Sequence, residues 1–283
     1  MLEFMVKLQD FRTPLLNKIA EFITMSGEEL ILIIVMCIVF WCISREKGYK
    51  LLLSIVFASA FNDVLKQTFN VKRPWVRDER IIPLRVETAT GSSFPSGHTQ
   101  VGGSMWLSIS RSFRKPAVVI ICYAMIVLLA FSRVYLGVHT PWDVIASLVL
   151  CIIGVLFAHY IMERALEKNS AVPLIFVAAV SFLGLFFFKE ASYYKMTGIL
   201  LALPLGFFLE NKYIKFDAKG KFLKQILKII VGFAIVLLFK EGLKLVLPDS
   251  LIFQTIRYFF VGIGAIYIVP LIYVKTKLSN SLI

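Results

Sequence analysis

The chain has 283 residues, 58% of them hydrophobic and 17% charged, with a mean hydropathy of +0.80. Soluble domains carry about 45–50% apolar residues, so a water-soluble globular fold is excluded and a polytopic membrane protein is indicated. The formal charge of +13 does not point to nucleic acid, because most Lys and Arg fall in short clusters between apolar runs, where they set topology.

Residues 1–26 place Phe4, Leu8, Phe11, Leu15, Ile19 and Phe22 at helical spacing, opposite Lys7, Asp10, Lys18 and Glu21. The pattern predicts an interfacial amphipathic helix. Charges throughout this stretch argue against a cleavable signal peptide. Apolar runs able to cross about 30 Å of hydrocarbon then occur near 28–44, 51–69, 97–113, 117–136, 142–162, 171–188, 193–209, 226–247 and 251–274. The expected fold is therefore an all-α polytopic membrane helical bundle of about nine transmembrane helices. In the third run Gln100, Ser104, Ser108 and Ser110 require a protein-lined or water-lined face. The seventh run is short and contains Pro204. Cys37, Cys42, Cys122 and Cys151 all lie inside apolar segments, without the spacing of a zinc site or a disulfide framework.

Alternate loops carry the positive charge: 45–50, 111–115, 164–168, 212–224 and 275–277. By the positive-inside rule these are cytoplasmic, which puts the N-terminus outside and the C-terminus inside. One loop on the opposite side breaks the rule, since residues 70–96 hold Lys72, Arg73, Arg77, Arg80 and Arg85. An anionic ligand explains those charges better than topology does. Arg77, Arg80 and Arg85 fit either a diphosphate or anionic headgroups.

Three short strings fall on this outer side. Lys66 precedes Arg73-Pro74 at the end of the second run; if the helix stops near Asn70, an ammonium and a planar guanidinium fork point into one cavity. Pro95-Ser96-Gly97-His98 opens the third run, with Ser96 as N-cap and Gly97 exposing backbone N–H groups to an anion. Ser132-Arg133 ends the fourth run, and His139 follows in a Gly-containing turn. Thr140-Pro141-Trp142-Asp143 has the order of a capped helix start. Asp143 is thus a capping carboxylate, an orienting partner for His139, or both. Each string alone has a bland reading as interfacial charge or polar neighbour. His159 lies on the opposite, inner side and reads as packing.

Taken together, Lys66 to Pro74, Pro95 to His98 and Ser132 to Asp143 resemble the three-part signature of the type 2 phosphatidic acid phosphatase superfamily. The resemblance spans roughly residues 50–160, and about nine spans are similar to its glucose-6-phosphatase and sphingosine-1-phosphate phosphatase branches. It implies a metal-independent membrane phosphatase with His139 as nucleophile, Asp143 orienting it and His98 as acid and base. Lys66, Arg73, Ser96, Gly97 and Arg133 would then hold phosphate oxygens, with no cofactor and no metal. The implied partners are membrane lipids and a lipid phosphate substrate: undecaprenyl diphosphate, phosphatidic acid, phosphatidylglycerophosphate or a sphingoid-base phosphate. The implied place is a bacterial plasma membrane, with the site facing outside the cytoplasm. A phosphotransferase using the same phosphohistidine, or a non-catalytic lipid-phosphate binding or transport protein, remains open. The organisation expected is an amphipathic helix at 1–26, a phosphatase core at 27–165 and further transmembrane helices at 166–283, whose role no motif declares.

Overall fold

The chain is described by a computed structural model covering residues 1–282. It is helical throughout, and the pairing outside helices is an isolated bridge between Phe216 and Ser281. The contacts divide it into two compact units: residues 1–33 with 61–157, and residues 34–60 with the chain from Ala158 onward.

In the first unit the N-terminal segment forms two helices where periodicity predicted one, α1 (Leu2–Gln9) and α2 (Pro14–Met25). The break lies at Thr13-Pro14. Pro14 takes the first helical position, where its missing N–H costs nothing, and the Thr13 side chain accepts the Leu16 N–H at 3.2 Å. Phe4, Phe11, Leu15, Ile19 and Phe22 of the predicted apolar face are exposed, the arrangement expected of a surface wetted by lipid. The opposite side packs inward: Met5 joins Ile81, Ala130, Val134 and Val144 in one cluster, and Ala20 joins Tyr135, Leu136 and Val138 in another.

Helix α3 (Glu29–Ile38) runs on as a π-turn through Ile43, and α4 spans Arg45–Phe69. A single turn, α5 (Pro74–Arg77), follows; α6 (Gly103–Phe113) is preceded by a π-turn over His98–Gly102, and α7 (Pro116–Tyr135) and α8 (Pro141–Glu167) complete the helices that contribute to this unit. The polar face of α6 and of the π-turn before it turns inward as its composition required, with Gln100, Ser104, Ser108 and Ser110 buried. On α7 and α8, Ile120, Val127, Val149 and Ile153 are more than half exposed, which is an apolar exterior and not a misfolded core.

The second unit adds α9 (Val172–Gly184), α10 (Ala191–Tyr213), α11 (Phe222–Val246), α12 (Leu251–Ile263) and, after a π-turn at Gly264–Ile268, α13 (Val269–Lys275). α10 and α12 pack closely because small residues recur at every fourth position of α10. A Cβ on Gly198 would lie 2.4 Å from Thr255 O, Ala202 meets Gly262, and Gly206 meets Ile266. A buried polar cluster ties this unit together. Arg45 donates to Glu210 at 2.8 Å, Tyr49 donates to the same carboxylate at 3.1 Å, and the Phe216 N–H reaches its other oxygen. His159 is buried in this unit.

Against the expected count of about nine spans, six helices have the length and apolar character of a span among the described residues. Arg45–Arg77, Pro116–Tyr135, Pro141–Glu167, Ala191–Tyr213, Phe222–Val246 and Leu251–Lys275 are long and apolar enough to cross a membrane among the described residues. The pair Pro14–Met25 and Glu29–Ile43, bent by 50°, would make a seventh. α9, with 13 residues, reaches only about 20 Å at 1.5 Å per residue.

Candidate active site

All eight residues singled out in the three strings fall in the first unit. α4 stops at Phe69 because Asn70 adopts a left-handed conformation, φ +43°, which asparagine tolerates better than most residues. The chain from Val71 then runs beside Ser92 and Ser93: Val71 N–H donates to Ser92 Oγ at 2.8 Å, and Ser93 N–H to Val71 O at 2.8 Å. That pairing carries Arg73 under the turn at 90–91. Its Nε donates to Gly91 O at 3.0 Å, Nη2 to Thr90 O at 2.6 Å, and Nη1 to Val138 O at 3.0 Å. Lys66 Nζ donates to the same Thr90 carbonyl at 3.0 Å. The two cations thus converge, as the spacing predicted, and one backbone oxygen aims both.

α7 ends in a turn that depends on Gly137. With φ at +76° and Arg12 Nη2 3.0 Å from where a Cβ would stand, that position accepts no side chain without strain. The turn places His139 below Arg73. Arg73 Nη1 lies 3.0 Å from His139 Nε2. An arginine only donates, so Nε2 must be the unprotonated nitrogen and the imidazole proton sits on Nδ1. Nδ1 faces Asp143 Oδ2 at 3.8 Å, too long for a hydrogen bond but close enough for charge to act. Burial pushes the imidazole down to about 3; Asp143 pulls it back up, and the charges of Arg73, Arg133 and Lys66 push it further down. His139 is therefore a neutral base with its lone pair turned toward a guanidinium.

Asp143 meets both the start of α8 and the imidazole of His139. It caps α8 by accepting Thr140 N–H at 2.8 Å while its own N–H reaches Thr140 Oγ1 at 3.3 Å, the reciprocal pattern of a capping box. It also stands beside His139, and Ser93 Oγ holds the same oxygen, Oδ2, at 2.7 Å. Ser93 was not singled out from sequence; a serine two residues before Pro95 carries no signal of its own.

The second string builds its own turn. Ser96 Oγ accepts Thr99 N–H at 3.4 Å and pairs with Thr99 Oγ1 at 3.0 Å, while Ser96 N–H donates to Ser147 Oγ at 2.8 Å. Gly97 packs against Asn62, whose amide donates to Gln100 at 2.8 Å. His98 and Arg133 are the groups left over. His98 Nε2 and Arg133 Nε and Nη2 are buried with no polar partner among the described residues, and Arg133 Nη1 donates to Thr24 Oγ1 at 2.7 Å. Buried polar groups of this kind normally find partners. Arg80 pairs with Glu3 and Asp78, and Arg85 with Glu28 at 2.6 Å, so two of the three loop arginines offered for a diphosphate or for anionic headgroups have carboxylate partners within the protein. No group of three or more His, Cys, Asp or Glu is placed to share a metal ion among the described residues.

The pattern of the PAP2 superfamily matches residues 47–167, and that of the PAP2 superfamily phosphatase transmembrane extension matches 194–281. The chain belongs to the PAP2 superfamily. Within it, the chain is 27% identical over 225 residues to the "Probable sphingosine-1-phosphate phosphatase" of Dictyostelium discoideum, covering 71% of this chain and 54% of that protein. It is 36% identical over 89 residues to the undecaprenyl-diphosphatase BcrC of Bacillus subtilis, covering 31% of this chain and 44% of that one. The chain spans about half the length of the curated relatives it matches. Among solved structures, LpxE of Aquifex aeolicus superposes with a TM-score of 0.51 at 27% identity, over 56% of this chain and 93% of that one. The PAP2 match covers every residue of the three strings, and the extension match accounts for the region in which the sequence displayed no motif.

Proposed function

We propose that this PAP2 protein is a metal-independent phosphatase that hydrolyses a lipid phosphate or diphosphate through a phosphohistidine on His139, at the face of the membrane opposite its basic loops. The observation that carries the reading is the state of His139. It is neutral, its Nε2 lone pair is directed at a guanidinium, and Lys66, Arg73 and Arg133 all act on it electrostatically.

A phosphate entering beside Arg73 replaces the contact between Nη1 and Nε2 and leaves the lone pair facing phosphorus. Nε2 then forms the P–N bond as the P–O bond to the lipid breaks, and His98, protonated in the presence of the substrate's negative charge, gives its proton to the departing oxygen and becomes neutral. The imidazole becomes cationic with its proton still on Nδ1, and Asp143 stabilises that charge. Water next attacks phosphorus, His98 takes its proton, and the P–N bond breaks to release phosphate and restore neutral His139. Arg73, Arg133 and Lys66 hold the three non-bridging oxygens as charge shifts during transfer. Such a site needs cations and no divalent ion. The names of both curated relatives, a sphingosine phosphate and an undecaprenyl diphosphate phosphatase, support a substrate with a polar head and a tail in lipid.

The test is phosphate release by the purified protein in detergent with a chelator. The panel comprises sphingosine-1-phosphate, phosphatidic acid, phosphatidylglycerophosphate, undecaprenyl diphosphate and a water-soluble ester, with His139→Ala alongside. Release by the intact protein alone supports the proposal. Release that survives His139→Ala removes the phosphohistidine, and release that requires added magnesium removes the metal-independent reading.

A further inference from the structure

The PAP2 match begins at residue 47, yet the buried arginine of the third string is held by a residue far upstream of it. Thr24, in the last turn of α2, and Arg133, in the last turn of α7, are both fully buried, and Arg133 Nη1 donates to Thr24 Oγ1 at 2.7 Å. This is the hydrogen bond the guanidinium makes to a side chain of the protein, its Nε and Nη2 being without polar partners among the described residues. A planar guanidinium fixed at one corner has its remaining donors aimed. The same elbow presses on the second string. A Cβ on Gly27 would stand 3.1 Å from His98 O and 3.3 Å from His98 Cβ, and one on Gly102 would stand 2.7 Å from Gly27 Cα. One residue on, Glu28 pairs with Arg85 of the outer loop at 2.6 Å.

We infer that Thr24 is a positioning residue of the phosphate site: by accepting from Arg133 Nη1, it turns the Nε and Nη2 edge of that guanidinium toward the substrate's non-bridging oxygens. The inference rests on the phosphatase reading and extends it to a segment outside the conserved-domain match. The N-terminal helix pair is then a wall of the site as well as a membrane-surface element.

The test compares wild type with Thr24→Val, which keeps the shape and removes the acceptor, and Thr24→Ser, which keeps the acceptor, in the detergent assay with orthovanadate as an inhibitor. Thr24→Ala replaces the valine variant if the latter does not fold. Thr24→Val is expected to lower kcat and weaken vanadate inhibition by about tenfold or more, the scale of a hydrogen bond to a charged group, with KM little changed. Thr24→Ser should restore both. In an Arg133→Lys background, Thr24→Val should have no further effect, which a purely structural role would not produce. Wild-type kinetics in Thr24→Val, or an equal loss in both backgrounds, overturns the inference. A wild-type protein that neither releases phosphate nor responds to vanadate overturns the phosphatase reading itself.

Discussion

Replacing Asp143 by Asn separates the two roles of this carboxylate. Its capping and buttressing contacts, from Thr140 N–H and Ser93 Oγ, need an oxygen acceptor, and the amide oxygen of Asn supplies one. Its third partner needs charge. When His139 carries phosphorus on Nε2 and a proton on Nδ1, it is cationic, and Asp143 Oδ2 stands 3.8 Å from Nδ1. Two unit charges at that distance attract by about 4 kcal/mol at an effective dielectric of about 20. The neutral ground state of His139 feels far less of this, so nearly all of it is transition-state stabilisation. The expectation is a fall in kcat of about a thousandfold, with KM nearly unchanged and a melting temperature within a few degrees of wild type. The assay is steady-state phosphate release with chelator, together with thermal unfolding in the same detergent. A loss below about tenfold would refute the electrostatic argument. A collapse of the melting temperature would show that capping, and not charge, is what Asp143 contributes.

Arg133→Lys keeps the positive charge but loses the fork, and forfeiting one charge-assisted hydrogen bond of about 1.5–3 kcal/mol should lower kcat/KM by about 10–150-fold; near-wild-type turnover would reduce Arg133 to a helix-ending residue. Because burial pushes His139 down to about 3, the folded state favours the neutral ring, so its contribution to stability is complete above the ordinary histidine value near 6.5 and is lost as pH falls toward 3. The melting temperature of the wild type should therefore drop more steeply between pH 6.5 and 4.5 than that of His139→Gln, and parallel curves would contradict the burial argument. In the second unit, Glu210→Gln leaves Arg45 buried without its countercharge and should cost about 3–5 kcal/mol of stability, read as a lower melting temperature, while phosphate release per folded molecule is unchanged; a proportionate loss of specific activity would show that this cluster serves the catalytic unit.

What could be read from the sequence was either local or repetitive. Thr140, Pro141 and Asp143 announce a capped helix because a capping box closes within four residues, and the structure closes it in that way. Most apolar runs became helices because run length and hydrocarbon thickness are compared directly. The inward turn of Gln100 and the serines of α6 followed from the cost of polar groups in lipid. The three strings identified the superfamily because their residue types, order and spacing are themselves the signature.

Where local pattern met a local competitor, the competitor won. Thr13-Pro14 divides a segment that periodicity alone had joined, since a capped proline start outweighs a continuous apolar face. Three of the predicted runs gave short helices, α3 of 10 residues, α6 of 11 and α9 of 13. Nothing in the spacing of residues revealed that Thr90 and Gly91 aim Arg73, that Ser93 holds Asp143 from 50 positions away, or that Thr24 holds Arg133 from 109. Those hydrogen bonds join groups with no periodic or sequential relation; they exist only after helix packing has placed their ends within about 3 Å. The superfamily and the membrane character were therefore written in the chain, while the hydrogen bonds that hold each guanidinium, the approach of Arg73 to His139 and the contact of Thr24 with Arg133 were decided by tertiary packing alone.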